Sequence, residues 1–293
     1  MVSVKVGLCY SRIRHDEKLL LSALRERGHA VEKIDVRDQQ FDLADPPAAL
    51  AEVDVLLDRC LATSRSTYLT QFAAAYGIPV VNSAETATTC ADKVETSLAL
   101  EAAGVPTPET KVAFTTGAAL EAIEAFGYPC VLKPVVGSWG RLLAKIDSRS
   151  AAEAILEHKE TLGHYEHSVF YVQAFVDKPG RDIRVLACDG EPVAAMCRSG
   201  EHWVTNAANG AKTQEFAVED DLAALVAQAS AAVGGGLLGI DLMETGTGYT
   251  VHEINHTVEF KALNDAVAVD VPGAVVDWLE STVETAAVPA GGD

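Results

Sequence analysis

The residues whose types and spacing most clearly suggest chemistry are Asp241, Glu253 and Asn255. In an extended strand, residues two apart point to one face, so Glu253-Ile254-Asn255 presents a carboxylate beside an amide oxygen. Asp241 lies twelve residues before Glu253. A tight turn at Thr245-Gly246-Thr247-Gly248 would fold the two segments antiparallel and converge three hard oxygens. Magnesium takes a few such ligands and completes its shell with water and phosphate; a polar outer hairpin face is the other reading. Lys133 ends the apolar run Tyr128–Leu132, just before Gly137-Ser138-Trp139-Gly140-Arg141. Glycines let backbone N–H groups approach phosphate oxygens, and the lysine supplies a point charge. The Walker pattern Gly-x-x-x-x-Gly-Lys-Ser/Thr is absent, and a glycine-rich hairpin tip fits the same residues. Lys93 opens a helix after Asp92, against the macrodipole, which suits a ligand role or a solvated surface lysine. Gln173-Ala174-Phe175-Val176 ends an apolar strand before Pro179-Gly180. That edge offers backbone groups to an adenine ring, or simply terminates the strand. Asp182 and Arg184 share a strand face, where Arg184 reaches a phosphate or pairs with Asp182.

The elements that must position these residues change character along the chain. Val4, Val6 and Leu8 open a strand, and Leu19, Leu20 and Leu24 set a helix over 15–27 that stops at Gly28. Strands over 30–36, 53–59 and 78–82 follow, and this alternation predicts a parallel sheet with helices on its faces. Helices over 92–103 and 117–126 flank a Pro-rich link, and strands over 130–135 and 142–146 enclose the glycine loop. Beyond Lys178-Pro179-Gly180 the chain reads as strands 181–188, 192–198, 237–243 and 249–254, with a helix over 219–233. Three units are expected, 1–88, 89–176 and 177–293. The tail at 286–292 is rich in Ala and Gly.

Composition limits the partners. The 293 residues are 48% hydrophobic, with 42 acidic and 23 basic side chains and a net charge of −19. Such a field repels nucleic acid. Dispersed acid in a lysine-poor chain suits a high-salt cytosol, where screening shortens self-repulsion. No apolar run is long enough to span a membrane, and the start lacks a signal-peptide pattern, which predicts a cytoplasmic protein. Cysteines 9, 60, 90, 130, 188 and 197 form no Cys-x-x-Cys and no zinc spacing; they read as small buried thiols.

The order Lys, Lys with glycine loop, hinge, Arg, Asp, Glu-x-Asn resembles the ATP-grasp superfamily. YPCVLKPVVGSWGRLLAK, KPGRDIRV, HWVTNAANG and EINHTVEFK, with SRIRHDEK and DRC near the start, resemble the LysX/ArgX family of RimK-related ligases over nearly the whole chain. The resemblance implies an ATP-grasp fold, α/β with an α+β ATP-binding part, behind an N-terminal parallel-sheet domain. It implies ATP as co-substrate, held by Lys93, Lys133, Gly137, Ser138, Trp139, Gly140, Arg141, Leu142 and Leu143. Gln173, Ala174, Phe175 and Val176 would be the adenine hinge, with Arg184 and Asn206 also facing the nucleotide. Asp241, Glu253 and Asn255 would hold Mg2+, with two ions expected. Arg184 and Arg198 would be catalytic. Arg198, Asn206, Ala207, Ala208, His256, Thr257, Val258, Glu259, Phe260, Ala262 and Leu263 would line the substrate site.

The implied reaction phosphorylates the C-terminal glutamate side chain of LysW, a small acidic carrier protein. An amino acid's α-amine then attacks the acyl phosphate. No enzyme nucleophile is needed, and none of the serines or cysteines stands in a nucleophile motif. Lysine-pathway members carry Asn then Thr or Ser after EFK; here Ala262-Leu263 departs from that and looks more like the Gly-Phe of glutamate-using members. Glutamate is therefore the expected substrate, with α-aminoadipate, or both, as the alternative. A RimK-like glutamate ligase acting on another protein is a remoter one, and a non-enzymatic nucleotide-binding module is opposed by the retained lysines and oxygen ligands. A basic residue found in some relatives is replaced by Asn209. The family suggests a homodimer or homotetramer, and Arg12, Arg14, Arg59 and Arg65 could form a patch for the carrier.

Overall fold

The computed structural model of the protein describes residues 3–137, 142–162, 168–200, 202–205 and 211–287. The chain begins with β1 (Lys5–Tyr10), α1 (His15–Glu26), β2 (Ala30–Asp35), α2 (Ala48–Ala51), β3 (Val55–Arg59), α3 (Thr63–Tyr76) and β4 (Val80–Val81). These strands form the expected parallel sheet, ordered β2-β1-β3-β4. Its central strands β1 and β3 are covered on both faces and read as continuous apolar runs; Val6, Leu8, Leu56 and Leu57 are buried.

Helices α4 (Ala84–Ala91) and α5 (Lys93–Ala102) lead into a second unit. Asp92 caps α5, its carboxylate accepting from the backbone N–H groups of Val94 and Glu95. The unit holds β5 (Thr110–Ala113), α6 (Thr116–Phe126), β6 (Cys130–Lys133), β7 (Ala144–Ile146), α7 (Arg149–Leu162) and β8 (Phe170–Ala174). Its antiparallel sheet, β5-β8-β6-β7, packs on α6 and α7 through Ile123, Leu132, Ile146, Leu156 and Val172.

The third unit contains β9 (Arg181–Cys188), β10 (Glu191–Ser199), β11 (Lys212–Glu215), α8 (Asp220–Ala232), β12 (Leu237–Thr245), β13 (Gly248–Asn255), α9 (Lys261–Ala266) and α10 (Val271–Ala287). Its antiparallel sheet runs β11-β10-β9-β12-β13. One face, including Ile183, Val185, Ile240 and Ile254, buries against Leu100, Leu222 and Val226. The opposite face is divided. Leu186, Met196 and Leu237 join α1, α10 and the first sheet in one core, while its centre carries polar residues.

Helices α2, α3, α4, α7, α9 and α10 were not expected from sequence. For α3 the reason is visible in its buried positions, Ser66, Leu69, Thr70 and Ala73. Small and polar residues on the inner face leave no apolar stripe to detect. All six cysteines are free, Cys90 half-buried and the others buried. Burial raises the thiols of Cys9 and Cys60, and pushes Cys90 and Cys188 up to about 12 and Cys130 to about 11. Among the described residues no helix is long and apolar enough to cross a membrane.

Candidate functional site

Met196 on β10, Arg184 on β9, Asp241 on β12 and Glu253 on β13 are successive register partners across four strands. Facing residues in adjacent strands project to one side, so they form a row. Two residues along lie the partners Asp182 and Arg198 in one direction, and Gly239 and Asn255 in the other. The row depends on an irregularity in the β12–β13 hairpin. Thr245 pairs with Gly248 and Leu242 with Val251, but Asp241 pairs with Glu253. His252 is the extra residue of a bulge, a device common beside functional sites. It brings Glu253 and Asn255 to the face that carries Asp241.

Arg184 donates from Nε and Nη2 to the two Asp241 oxygens, at 2.5 and 2.6 Å. Arg198 donates from Nη2 to Asp241 Oδ1 at 2.8 Å and from Nε to Asp182 Oδ1 at 2.6 Å. Arg184 therefore pairs with Asp241, and Asp182 takes Arg198 instead. Burial pushes the Asp241 carboxyl up, but the two guanidiniums more than reverse this and hold it well below the usual aspartate range. Gly239 makes room for the arrangement. A Cβ there would stand 2.4 Å from Val258 Cγ2 and 3.1 Å from Arg184 Nη1.

Lys93 connects this row to the glycine loop. Its Nζ donates to the Gly137 carbonyl at 2.8 Å and lies 3.0 Å from Glu253 Oε1. Lys133 ends β6 and is buried. Burial lowers its pKa to about 8, with Glu253 opposing and Lys93 adding to the shift. Both lysines, Gly137, Leu143 and residues 173–176 line one cavity, closed on its far side by Trp203, Thr205, Met243, His252 and Glu253. Phe175 meets Trp203 at a centroid distance of 6.5 Å, and Lys145 Nζ stands 4.8 Å from the Phe175 ring centre. Leu142 is exposed and does not line this cavity. Ser138, Trp139, Gly140, Arg141, Asn206, Ala207, Ala208 and Asn209 lie outside the described residues.

A second cavity, of about 560 Å³, opens on the other side of the row. Asp241, Glu253, Asn255, Arg184 and Arg198 form one end, and Arg14, Thr257, Glu259 and Ala262 the other. Glu253 thus lines both cavities. Of the expected substrate-lining stretch, Val258, Phe260 and Leu263 instead lie in the core, each no more than 1% exposed. His256 faces a smaller cavity that Lys93, Glu253 and Asn255 also line. Its Nε2 is 3.0 Å from Ser66 Oγ, and the Ser66 hydroxyl donates to Asp58.

The first unit holds this segment in place. Asp16 Oδ1 accepts from the N–H groups of Phe260 and Lys261 at 2.6 and 2.8 Å, and Arg59 Nη2 donates to the Val258 carbonyl at 2.8 Å. Asn82 donates to the carbonyls of Leu237 and His256 and accepts from the Leu237 N–H. The expected four-arginine docking patch is corrected here: Arg59 is fully buried against Glu17 and cannot meet a partner, and Arg14 is paired with Glu17 and Glu259. Arg12 and Arg65 are exposed.

His252, Lys178, Thr205 and Met243 in the first cavity were missed from sequence, as were the holders Asp16, Ser66 and Asn82. Lys178 offered a signal: it precedes the Pro-Gly turn, and its Nζ donates to Thr205 at 2.8 Å and Asp182 at 3.4 Å. The region gathers Lys93, Lys133, Lys178, Arg184 and Arg198 against Asp182, Asp241 and Glu253. A local excess of cations inside a chain of net charge −19 is suited to a polyanion. Among the described residues no three His, Cys, Asp or Glu side chains gather as a metal-binding group; the candidate set has two carboxylates and an amide.

Residues 6–89 match the LysX pre-ATP-grasp domain, and residues 90–279 the RimK-like ATP-grasp domain. The glutamate–LysW ligase ArgX of Sulfolobus acidocaldarius is 30% identical over 285 residues, 95% of this chain and 99% of the relative. The α-aminoadipate–LysW ligase LysX of Saccharolobus solfataricus is 34% identical over 251 residues, 85% of this chain and 90% of the relative. The crystal structure of a RimK domain ATP-grasp protein from Sphaerobacter thermophilus superimposes with a TM-score of 0.79 at 30% identity, over 94% of this chain and 98% of that one. A D-alanine–D-alanine ligase from Bacillus anthracis shares the fold at 13% identity, with a TM-score of 0.72 over 97% of this chain and 98% of that one. With both domains matched in order over most of its length, the chain belongs to the RimK-like ATP-grasp family and is an ATP-dependent carboxylate–amine ligase.

Proposed function

We propose that this protein joins the α-amino group of glutamate to the side-chain carboxylate of the C-terminal glutamate of a LysW carrier, in the cytoplasm and in arginine biosynthesis. The observation that carries this reading is the meeting of two cavities at Glu253, with Asp241 and Asn255 beside it. One cavity is lysine-lined and suits a nucleotide; the other suits an acceptor. Two relatives aligned over 94% or more of this chain are named glutamate–LysW ligases.

In this reading residues 1–88 brace the substrate segment, 89–176 cover the nucleotide, and 177–293 carry the reacting groups. The ATP phosphates lie between Lys93, Lys133 and the loop at 137–143, with adenine against 173–176. Asp241, Glu253 and Asn255 would hold Mg2+ in this reading: their side chains share a face and supply two anionic oxygens and one neutral oxygen once Arg184, Arg198 and Lys93 release the carboxylates. When bound, the ion neutralises charge on the phosphate oxygens.

The carrier carboxylate attacks the γ-phosphorus and ADP leaves, giving an acyl phosphate. The α-amine of glutamate attacks the acyl carbon, phosphate leaves, the amine nitrogen loses a proton to solvent, and an isopeptide bond remains. Arg184 and Arg198 reach the meeting point of the cavities and offset negative charge that develops there. Only Ala262 of the Ala262-Leu263 pair lines the acceptor cavity. It offers no hydrogen bond to a longer substrate's polar end, and an apolar wall discriminates one methylene by about 1–3 kcal/mol.

The α-aminoadipate reading draws on the LysX relative at 34% identity. ADP release with Mg-ATP, LysW and each amino acid tests both. Carrier-dependent turnover preferring glutamate is expected. Preference for α-aminoadipate overturns the substrate choice, and carrier-independent turnover overturns the carrier.

A further inference from the structure

Arg14 stands at the entrance to α1. Its Nε and Nη2 donate to the two oxygens of Glu17 at 3.0 and 2.7 Å. Glu17 is fully buried and is also bound by the fully buried Arg59, whose Nε lies 3.1 Å from Glu17 Oε1. One interior carboxylate therefore serves two guanidiniums. The other bonded edge of Arg59 meets only a neutral carbonyl, that of Val258, and its Nη1 has no hydrogen-bond partner among the described residues. The remaining nitrogen of Arg14, Nη1, makes no bond to Glu17 and lies at the acceptor cavity. There it meets Glu259, whose side chain is 44% exposed.

We propose that this outward edge of Arg14 binds a carboxylate that takes no part in bond formation, and that Glu259 holds its place in the ligand-free protein. The inference rests on the ligase reading for the two ligands that bring such a group: the amino-acid substrate, and the carrier's C-terminal residue with its free α-carboxylate. The chemistry is shared. The other cations of the cavity are less suited. Arg184 and Arg198 are committed to Asp241 and Asp182 at the reacting end. Lys261 is exposed and pairs with Asp265 one turn away. Arg14 is held rigid by a buried partner and keeps one edge for the cavity, so little freedom is lost when a ligand binds. An exposed ion pair is weak and easily exchanged, and a ligand carboxylate that displaces Glu259 makes the same kind of charge-assisted bond to Arg14.

Calorimetric titration of L-glutamate, and separately of a peptide with the carrier's C-terminal sequence, into wild type, Arg14→Gln and Glu259→Gln tests this. Arg14→Gln weakens one of the two ligands about tenfold without changing nucleotide affinity, a loss typical of one charge-assisted contact. Glu259→Gln, lacking the competitor, tightens the same ligand several-fold. Whichever ligand responds is the source of the carboxylate. Equal binding of both ligands to wild type and Arg14→Gln overturns the proposal, as does failure of both to bind folded wild type. If Arg14→Gln does not fold, Glu259→Gln decides, and unchanged or weaker binding overturns it. The ligase reading is judged by ADP release, which does not enter this comparison.

Discussion

Lys133 should make nucleotide binding depend on pH in a range where most lysines are silent. Its ammonium is buried at the end of β6, and the neighbouring Glu253 is engaged by Lys93. Burial lowers its pKa to about 8 from an ordinary 10.5. The charged fraction is then about 0.9 at pH 7, about 0.5 at pH 8 and about 0.09 at pH 9. Only the charged form attracts phosphate, and the last phosphate proton of the nucleotide, with a pKa of about 6, is gone throughout this range. The KM for ATP should therefore rise about twofold from pH 7 to 8 and about tenfold from pH 7 to 9. At pH 8, binding should take up about half a proton. The assay is ADP release at fixed magnesium and carrier, with ATP varied from pH 7 to 9.5. Lys133→Arg, whose guanidinium stays charged, should hold KM level. A wild-type KM that stays flat to pH 9.5 would refute the reasoning, as would the same rise in the arginine variant. The stability effect has a defined sign. The folded pKa lies below the unfolded one, so the unfolded chain holds more protons between them. Lys133 thus destabilises the ligand-free fold below pH 8, and that cost is relieved as pH rises from about 8 to about 10.5.

Asp241→Asn keeps the side chain's shape but removes the charge between Arg184 and Arg198; kcat for ADP release should fall about 10²–10³-fold, and activity within tenfold of wild type would contradict the site. Arg59→Met removes the buried bonds to Glu17 and to the Val258 carbonyl while Arg14 still pairs Glu17, and should lower unfolding free energy in urea by about 1–3 kcal/mol; a loss of only a few tenths would show these contacts to be energetically neutral. Gly239→Ala sets a methyl group 2.4 Å from Val258 Cγ2. It should cost about 1–3 kcal/mol in the same measurement and lower kcat by displacing Arg184, so unchanged stability and turnover would remove that role for the glycine.

The sequence was most legible where side-chain period and local chemistry agree. The leucines of α1, the Asp92 cap of α5 and the turn before β13 each announce an element without help from distant residues. α3 could not be read that way, because Ser66 and Thr70 occupy its inner face and the Asp58–Ser66–His256 contacts exist only once three segments meet. The same limit applies to the stretch after β13. Nothing local says that Val258, Phe260 and Leu263 turn into the core while Thr257, Glu259 and Ala262 line a cavity; bonds from Asp16 and Arg59 decide it.

The donor types at the site were set by sequence alone: one aspartate, then a glutamate and an asparagine two apart, with two lysines and a glycine loop upstream. Their convergence was not. A regular hairpin closing at Gly246-Thr247 pairs Asp241 with His252 and sends Glu253 and Asn255 to the opposite face, since a one-residue shift inverts every side chain. The fold inserts His252 as a bulge, so Asp241 meets Glu253 across the ladder. Register of this kind is chosen by what each face must bury. Here Val251 and Ile254 both enter the core beneath the sheet, although they lie three residues apart. Only the packed structure could impose that parity change, and it turns two separated polar residues and a distant aspartate into one site.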